Sequence, residues 1–257
     1  MKQKIQQLNA FTLAEVLITL GVIGVVAAVT MPTLIAKYQE QVTVNHLLKT
    51  YSMLSQAVQR IQTDYGTIDT WGLERTHTGT TNPETGKTIY DWSAQRIVAE
   101  RLKEHLKVTQ TCELDKICLN ASSYTLSGQK ISDPAPVSAT SDSPPEARFF
   151  LADGTYITMG WYDPNLKKID IKITLTQYDK KKTIIGKNTF FFEFQKKGLI
   201  PEGKTDGAES FDKCDPSYTD NTMAGRGCTA WVIYNKNMDY LHCREKLGWD
   251  KKHSCKE

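Results

Sequence analysis

The sequence predicts an α+β chain in which one long N-terminal helix precedes a strand-rich head. Three features predict it. Residues 11–36 are apolar with a single charge, apolar residues then recur at helical spacing as far as Tyr65, and residues 148–194 switch to strand-like alternation. All six cysteines follow the apolar segment, as expected of a head whose C-terminal loops are stapled by disulfides.

Residues 1–10, MKQKIQQLNA, are polar and carry Lys2 and Lys4 with no acid. At about 1.5 Å per residue, a helix over 11–36 is long enough to cross the hydrocarbon core of a bilayer. The lysines ahead of it put the N-terminus on the cytoplasmic side. Glu15 is the one charge in the run. A carboxylate there costs roughly 2.5–3.5 kcal/mol on insertion scales, so a partner for it is expected. Pro32 removes one backbone hydrogen bond and predicts a kink or local melting. Beyond it, Leu34, Tyr38, Val42, Leu47, Tyr51, Leu54, Val58, Ile61 and Tyr65 form one stripe. That makes 37–65 an amphipathic continuation suited to packing on a globular head, and Gly66 supplies the stop.

The start of this helix carries a resemblance. A short basic leader, the small residue Ala10, then Phe11-Thr12-Leu13 and Glu15 opening an apolar helix resembles the prepilin signature of type IV pilins and type II secretion system pseudopilins. Ala10 stands where that family usually has Gly, and Pro32 falls where such pilins commonly carry a helix-loosening proline. The resemblance implies a pilin-like fold, cleavage between Ala10 and Phe11 by prepilin peptidase, and N-methylation of Phe11. It implies a single-pass protein of the bacterial inner membrane, its head extracytoplasmic, in contact with lipid until it assembles. Its partners would be copies of itself, other pilin-like subunits and an inner-membrane assembly platform. Glu15 of one subunit would pair with the new Phe11 amine of its neighbour, each charge relieving the other's desolvation. A secretory signal peptide and a plain anchor are the competing readings. Glu15 inside the apolar core counts against both, Pro32 counts against the plain anchor, and the lack of a clean cleavage site followed by polar chain counts against the signal peptide.

The chain so divides into a leader (1–10), a transmembrane and assembly helix (11–36), its continuation (37–65), a connecting region (66–147) and a β-rich head (148–257). In the connecting region, Asp91 or Ser93 caps a helix whose Ile97, Val98, Leu102 and Leu106 share a face. Arg96, Arg101, Lys103 and Glu104 form its charged face. Residues 132–147, rich in Pro, Ser and Asp, read as an exposed loop. Residues 148–152 and 155–161 flank Asp153-Gly154, a hairpin signal. Over 168–178, Ile169, Ile171, Ile173 and Leu175 share a face, so Lys167, Lys168, Lys172 and the run Lys180, Lys181, Lys182 are assigned to its wet face and turn. With 189–194 as a fourth strand, an antiparallel meander packs on the second half of the helix. Residues 228–241, CTAWVIYNKNMDYL, read as a strand and turn. Residues 198–212 resemble a loop that binds calcium in some pseudopilins, and Asp206, Glu209, Asp212 and Asp215 could supply oxygen ligands. No EF-hand spacing is present, and a solvated acidic turn is the simpler reading. No other cofactor is expected.

The cysteines are Cys112, Cys118, Cys214, Cys228, Cys243 and Cys255. Local pairs, Cys112–Cys118, Cys214–Cys228 and Cys243–Cys255, are favoured among many connectivities. Reduced buried thiols are the alternative. Zinc is disfavoured, since no C-x-x-C occurs and His242, Cys243, His253 and Cys255 lack ligand spacing. A net charge of +3 on 257 residues gives no sign of a basic face, so nucleic acid is not an expected partner. Common catalytic motifs are absent, and S-x-x-K at Ser127 to Lys130 lies in a polar loop. The five histidines, His46, His77, His105, His242 and His253, suggest no triad. The expectation is a structural subunit without catalytic residues. Its rivals are a minor pilin with an adhesive or DNA-uptake role, and a singly anchored extracytoplasmic binding protein that never polymerises.

Overall fold

The computed structural model describes residues 12–75, 77–84, 86, 88–112, 117–132, 147–176, 181–204, 210–218 and 224–256. The chain divides between Val42 and Thr43 into two units. Helix α1 (Leu13–Tyr65) begins in the first and ends in the second. In the first unit its apolar side chains are exposed, Leu13 at 82%, Leu17 at 62% and Leu34 at 69%. Among the described residues, this is the one helix long and apolar enough to cross a membrane. The helix continues through Pro32, so the melting expected there does not occur. Proline removes a single donor, and the hydroxyls beside it keep nearby carbonyls occupied. Thr30 Oγ1 donates to the Val26 carbonyl and Thr33 Oγ1 to the Thr30 carbonyl, each at 2.8 Å.

In the second unit, the remainder of α1 buries Val44, Leu47, Leu54, Val58 and Ile61 on one face. Each such side chain contributes about 1.5–3 kcal/mol. After α1 come strands β1 (His77–Thr81) and β2 (Thr88–Tyr90), helix α2 (Ser93–Glu104), and strands β3 (Val108–Thr111), β4 (Ser122–Tyr124) and β5 (Lys130–Ser132). There follow β6 (Arg148–Leu151), β7 (Thr155–Asp163), β8 (Lys168–Leu175), β9 (Lys182–Ile184), β10 (Thr189–Gln195) and β11 (Gly198–Pro201), then helices α3 (Cys228–Asn235) and α4 (Tyr240–Cys243).

The main sheet runs β11-β10-β8-β7-β6-β3, antiparallel throughout. Its inner face presents Phe149, Ile157, Met159, Ile169, Ile171, Ile173, Phe190, Phe192 and Phe194, all fully buried. Tyr51 of α1 stacks on Phe192 with ring centroids 5.6 Å apart. Strand β9 leaves this sheet and pairs in parallel with β4 in a small second sheet. Strand β7 carries one extra residue against β8, since Met159 faces Ile171 but Tyr162 faces Ile169. The bulge brings Gly160 against Asp170, where a Cβ would stand 2.8 Å from the Asp170 Cβ.

Four readings of the sequence are corrected. Residues 228–235 form helix α3, not a strand, because Trp231 is fully buried and stacks on Phe211 at 4.3 Å, a contact no local pattern announces. Helix α2 starts at Ser93 with Trp92 at the cap position, while Asp91 Oδ1 accepts the Ser93 N–H at 2.8 Å. Its Arg101 is not on a wet face, since the guanidinium lies 4.0 Å over Trp71 and 4.3 Å over Tyr65. Lys168 and Lys172 are likewise half-buried rather than solvated. Residues remote in sequence cover the outer face of the sheet: Cys118 and Leu119 pack on Tyr156 and Phe150, and Arg226 lies 4.5 Å over the Phe191 ring.

Candidate functional site

The start of α1 is a reciprocal cap. The Thr12 carbonyl accepts the Val16 N–H and its hydroxyl accepts the Glu15 N–H, both at 3.2 Å. In return, Glu15 Oε2 accepts the Thr12 N–H at 2.9 Å and the Thr12 hydroxyl at 2.8 Å. This is the capping box T-x-x-E, which satisfies two donors that a helix start otherwise leaves unpaired. The carboxylate also lies in the first turn, where the helix dipole favours negative charge. The partner expected for Glu15 is thus partly its own neighbour. T-x-x-E is legible in the sequence as a helix-start signal, one that the charge of Glu15 inside an apolar run masks. The bonds to Thr12 use Oε2 alone, which leaves Oε1 for a second donor. Ala10 and Phe11, the residues of the expected cleavage and methylation, lie outside the described residues.

A second polar constellation lies on the outer face of the main sheet. Asp170, Glu193 and Glu202 bring carboxylate oxygens within 4.8 Å of one another. Cationic side chains engage all three. Arg226 grips Glu202 with two hydrogen bonds, Nε to Oε2 at 3.0 Å and Nη2 to Oε1 at 2.7 Å, and reaches Asp170 at 3.4 Å. Lys168 donates to Glu193. Glu202 is almost wholly buried, so its bidentate partner is a condition of its being charged there. Burial, with the Arg148 and Arg226 guanidiniums nearby, pushes the Lys172 amine down to about 8.

A model of a family of unknown function (DUF6613) matches residues 33–230. The chain belongs to that family. No curated protein and no solved structure matches it. The DUF6613 match takes in the amphipathic part of α1, the main sheet, the smaller sheets β1–β2 and β5–β4–β9 and the start of α3, with the Arg226 constellation inside it. The capping box and the Cys243–Cys255 pair fall outside it.

The remaining residues singled out from the sequence scatter. Cysteines pair as Cys112–Cys118, Cys214–Cys228 and Cys243–Cys255, with Cα separations of 5.4, 4.7 and 5.9 Å. Of the four calcium candidates, Asp206 and Glu209 lie outside the described residues. Asp212 faces Arg244 at 3.5 Å, and Asp215 Oδ1 takes the N–H and hydroxyl of Ser217 at 2.7 Å. Those two aspartates are therefore used separately. His46 Nε2 sits 3.1 Å from Thr155 Oγ1 and 3.3 Å from Asp153 Oδ2, while His105 faces Asp64 at 3.3 Å. Cys243 and Cys255 are spent on each other, so they hold no zinc. The Arg226 constellation was missed because Glu202 and Arg226 are 24 residues apart, with no periodicity linking them.

Proposed function

We propose that the chain is a structural subunit, a pilin or pseudopilin, of a type IV pilus-like or type II secretion filament. The observation that carries this is the unit before Thr43. An apolar helix exposes its side chains all round, and its one early carboxylate is held by a cap that uses a single oxygen. So much exposed apolar surface requires cover, first by lipid and then by the helices of other subunits. A prepilin-type start accounts for both the apolar surface and the carboxylate. On this reading, prepilin peptidase cuts between Ala10 and Phe11 on the cytoplasmic side of a bacterial inner membrane, and Phe11 is N-methylated. The free Oε1 of Glu15 then takes the Phe11 amine of a neighbouring subunit and sets the axial step. Pro32 lowers the cost of bending as the helix leaves the bilayer, and the disulfide-bonded head stands in the oxidising space outside.

The N-terminal mass of the mature protein from native membranes tests this. A chain that begins at N-methylated Phe11 is expected. One that retains Met1 would replace the filament reading with that of a singly anchored binding protein.

A further inference from the structure

On the outer face of the main sheet, Arg148, Thr158 and Lys172 stand in one cross-strand row. Arg148 faces Thr158 across β6 and β7, and Thr158 faces Lys172 across β7 and β8. Their inner-face neighbours, Phe149, Ile157, Ile171 and Ile173, are all in the core, so the three point away from it. Phe191 continues the row beyond Lys172 and carries the Arg226 guanidinium on its ring. Thr158 is 6% exposed, and its Oγ1 and the Arg148 Nε are buried with no close hydrogen bond among the described residues, the Tyr156 phenol being the polar group that reaches toward both. Among the described residues on this face, four cations, Arg148, Lys168, Lys172 and Arg226, meet three carboxylates. The carboxylates are already engaged, Glu202 and Asp170 by Arg226 and Glu193 by Lys168. Among the described residues one positive charge is left over, at the Arg148–Lys172 end.

We propose that this row binds a single oxyanion, with Thr158 as its floor and Arg148 and Lys172 as its walls. Strands in a sheet lie about 4.8 Å apart, so Arg148 and Lys172, separated by β7, stand roughly 9–10 Å apart at their bases. An anion such as phosphate, sulfate or a carboxylate, held by two charge-assisted bonds of about 2.8 Å, spans nearly that gap. Its negative charge balances the surplus cation, and it satisfies both buried donors. The Tyr156 phenol, on the same face two residues from Thr158, lies against Thr158 and Arg148 and shares its hydroxyl with the bound anion. A metal cation is the wrong ligand for this row, whose side chains donate rather than accept. The site lies wholly in the head and does not rest on the filament reading.

The test uses the full chain in detergent, titrated with sodium sulfate, sodium phosphate or sodium acetate against sodium chloride at matched ionic strength. The readouts are the thermal midpoint and the Lys172 amine NMR signal. Sulfate or phosphate is expected to raise the midpoint and move that signal, while a response to acetate alone assigns a carboxylate from a protein partner. Facing Lys172 are Arg148 on β6, Tyr156 on β7, Asp170 on its own strand, Glu193 on β10, and Glu202 and Arg226 beyond it. The Lys172 amine, pushed down to about 8, loses its charge between pH 7 and 9.5, so affinity should fall at least tenfold over that range. Lys172→Met should abolish binding. Lys172→Arg should keep it and flatten its pH dependence, and Thr158→Val should weaken it without loss of fold. No response beyond chloride, or an undiminished response in folded Lys172→Met or Thr158→Val, overturns the proposal.

Discussion

The helix before Thr43 and the head after it solve opposite problems with the same residue types. Before Thr43, leucines, valines and isoleucines face outward and the one early carboxylate is satisfied within its own first turn. After it, the apolar side chains are buried and the carboxylates are satisfied across strands by Arg226 and Lys168. The first segment can hold its secondary structure by backbone bonds and a cap alone, so what its side chains need is a partner. The head draws its stability from tertiary contacts. Substitutions before Thr43 should therefore change association and leave folding alone, and substitutions in the head should do the reverse.

The strongest test of the head's side of this contrast is Gly203→Ala. Gly203 has φ +118°, and a Cβ there would fall 1.9 Å from the Gly227 carbonyl oxygen, next to the Cys214–Cys228 bridge. Both the backbone conformation and the space forbid a side chain. The expected loss exceeds about 4 kcal/mol, the exceptional end for one substitution. Urea unfolding followed by tryptophan fluorescence checks it, and a native-like midpoint would contradict the close approach.

Next in size is a matched pair. Leu54→Ala empties a site with no exposure and should cost about 2–5 kcal/mol in the same assay. Leu17→Ala, at a position 62% exposed, should change head stability by less than about 0.5 kcal/mol. If both variants shifted the urea midpoint equally, the contrast between the two regions would be lost.

The two regions also differed in how far the sequence revealed them. The continuous apolar run, the stripe ending at Tyr65, the Asp153-Gly154 hairpin and the Ile169–Ile171–Ile173 alternation are local signals, and each of these segments is a helix or strand of the structure. The failures are residues whose surroundings come from far along the chain. Lys168 and Lys172 look solvated from their alternation, because nothing local says that Arg226, Cys112, Cys118 and Leu119 lie over that face. The apolar run CTAWVIYN is too short for its period to separate strand from helix, and the Phe211 and Trp249 rings beside Trp231 come from a short 3-10 turn and a turn with no periodicity of their own. The parallel pairing of β4 with β9 joins segments separated by the whole β6–β8 meander. Thr12 and Glu15 are the exception, a local signal present in plain view.

A smaller effect probes the polar face by pH. The Lys172 amine falls from an ordinary 10.5 to about 8 on folding. Between those values the unfolded chain holds more protons, so stability should rise with pH from about 8 upward and be lowest below 8. The buried phenols of Tyr156 and Tyr51 are pushed up by their burial, so they oppose this trend only above about 10. Urea midpoints in chloride buffers at pH 7 through 9.5 should therefore climb. Lys172→Met should remove the climb and gain about 1–3 kcal/mol at pH 7. A profile that is flat or falling in the unsubstituted chain would sink this account of the lysine.

The smallest effect on folding, and the sharpest on assembly, belongs to Glu15. Its carboxylate closes the box with Thr12 and, on the proposed filament reading, offers a charge to a neighbouring subunit, two uses that an alanine substitution cannot separate. Glutamine separates them, since an amide oxygen serves as well as a carboxylate at that position of the box but brings no charge. If the cap is the whole role, Glu15→Gln should assemble normally, and Glu15→Ala should lose only about 0.5–2 kcal/mol at the helix start. If the charge pairs with the Phe11 amine, Glu15→Gln should abolish filaments as completely as Glu15→Ala, with the near-ultraviolet spectrum of the head unchanged in both. Electron microscopy of sheared or membrane-extracted filaments distinguishes these outcomes. The second is expected, because Thr12 occupies only one of the two oxygens and a buried charge in a helical bundle has no water to satisfy the other.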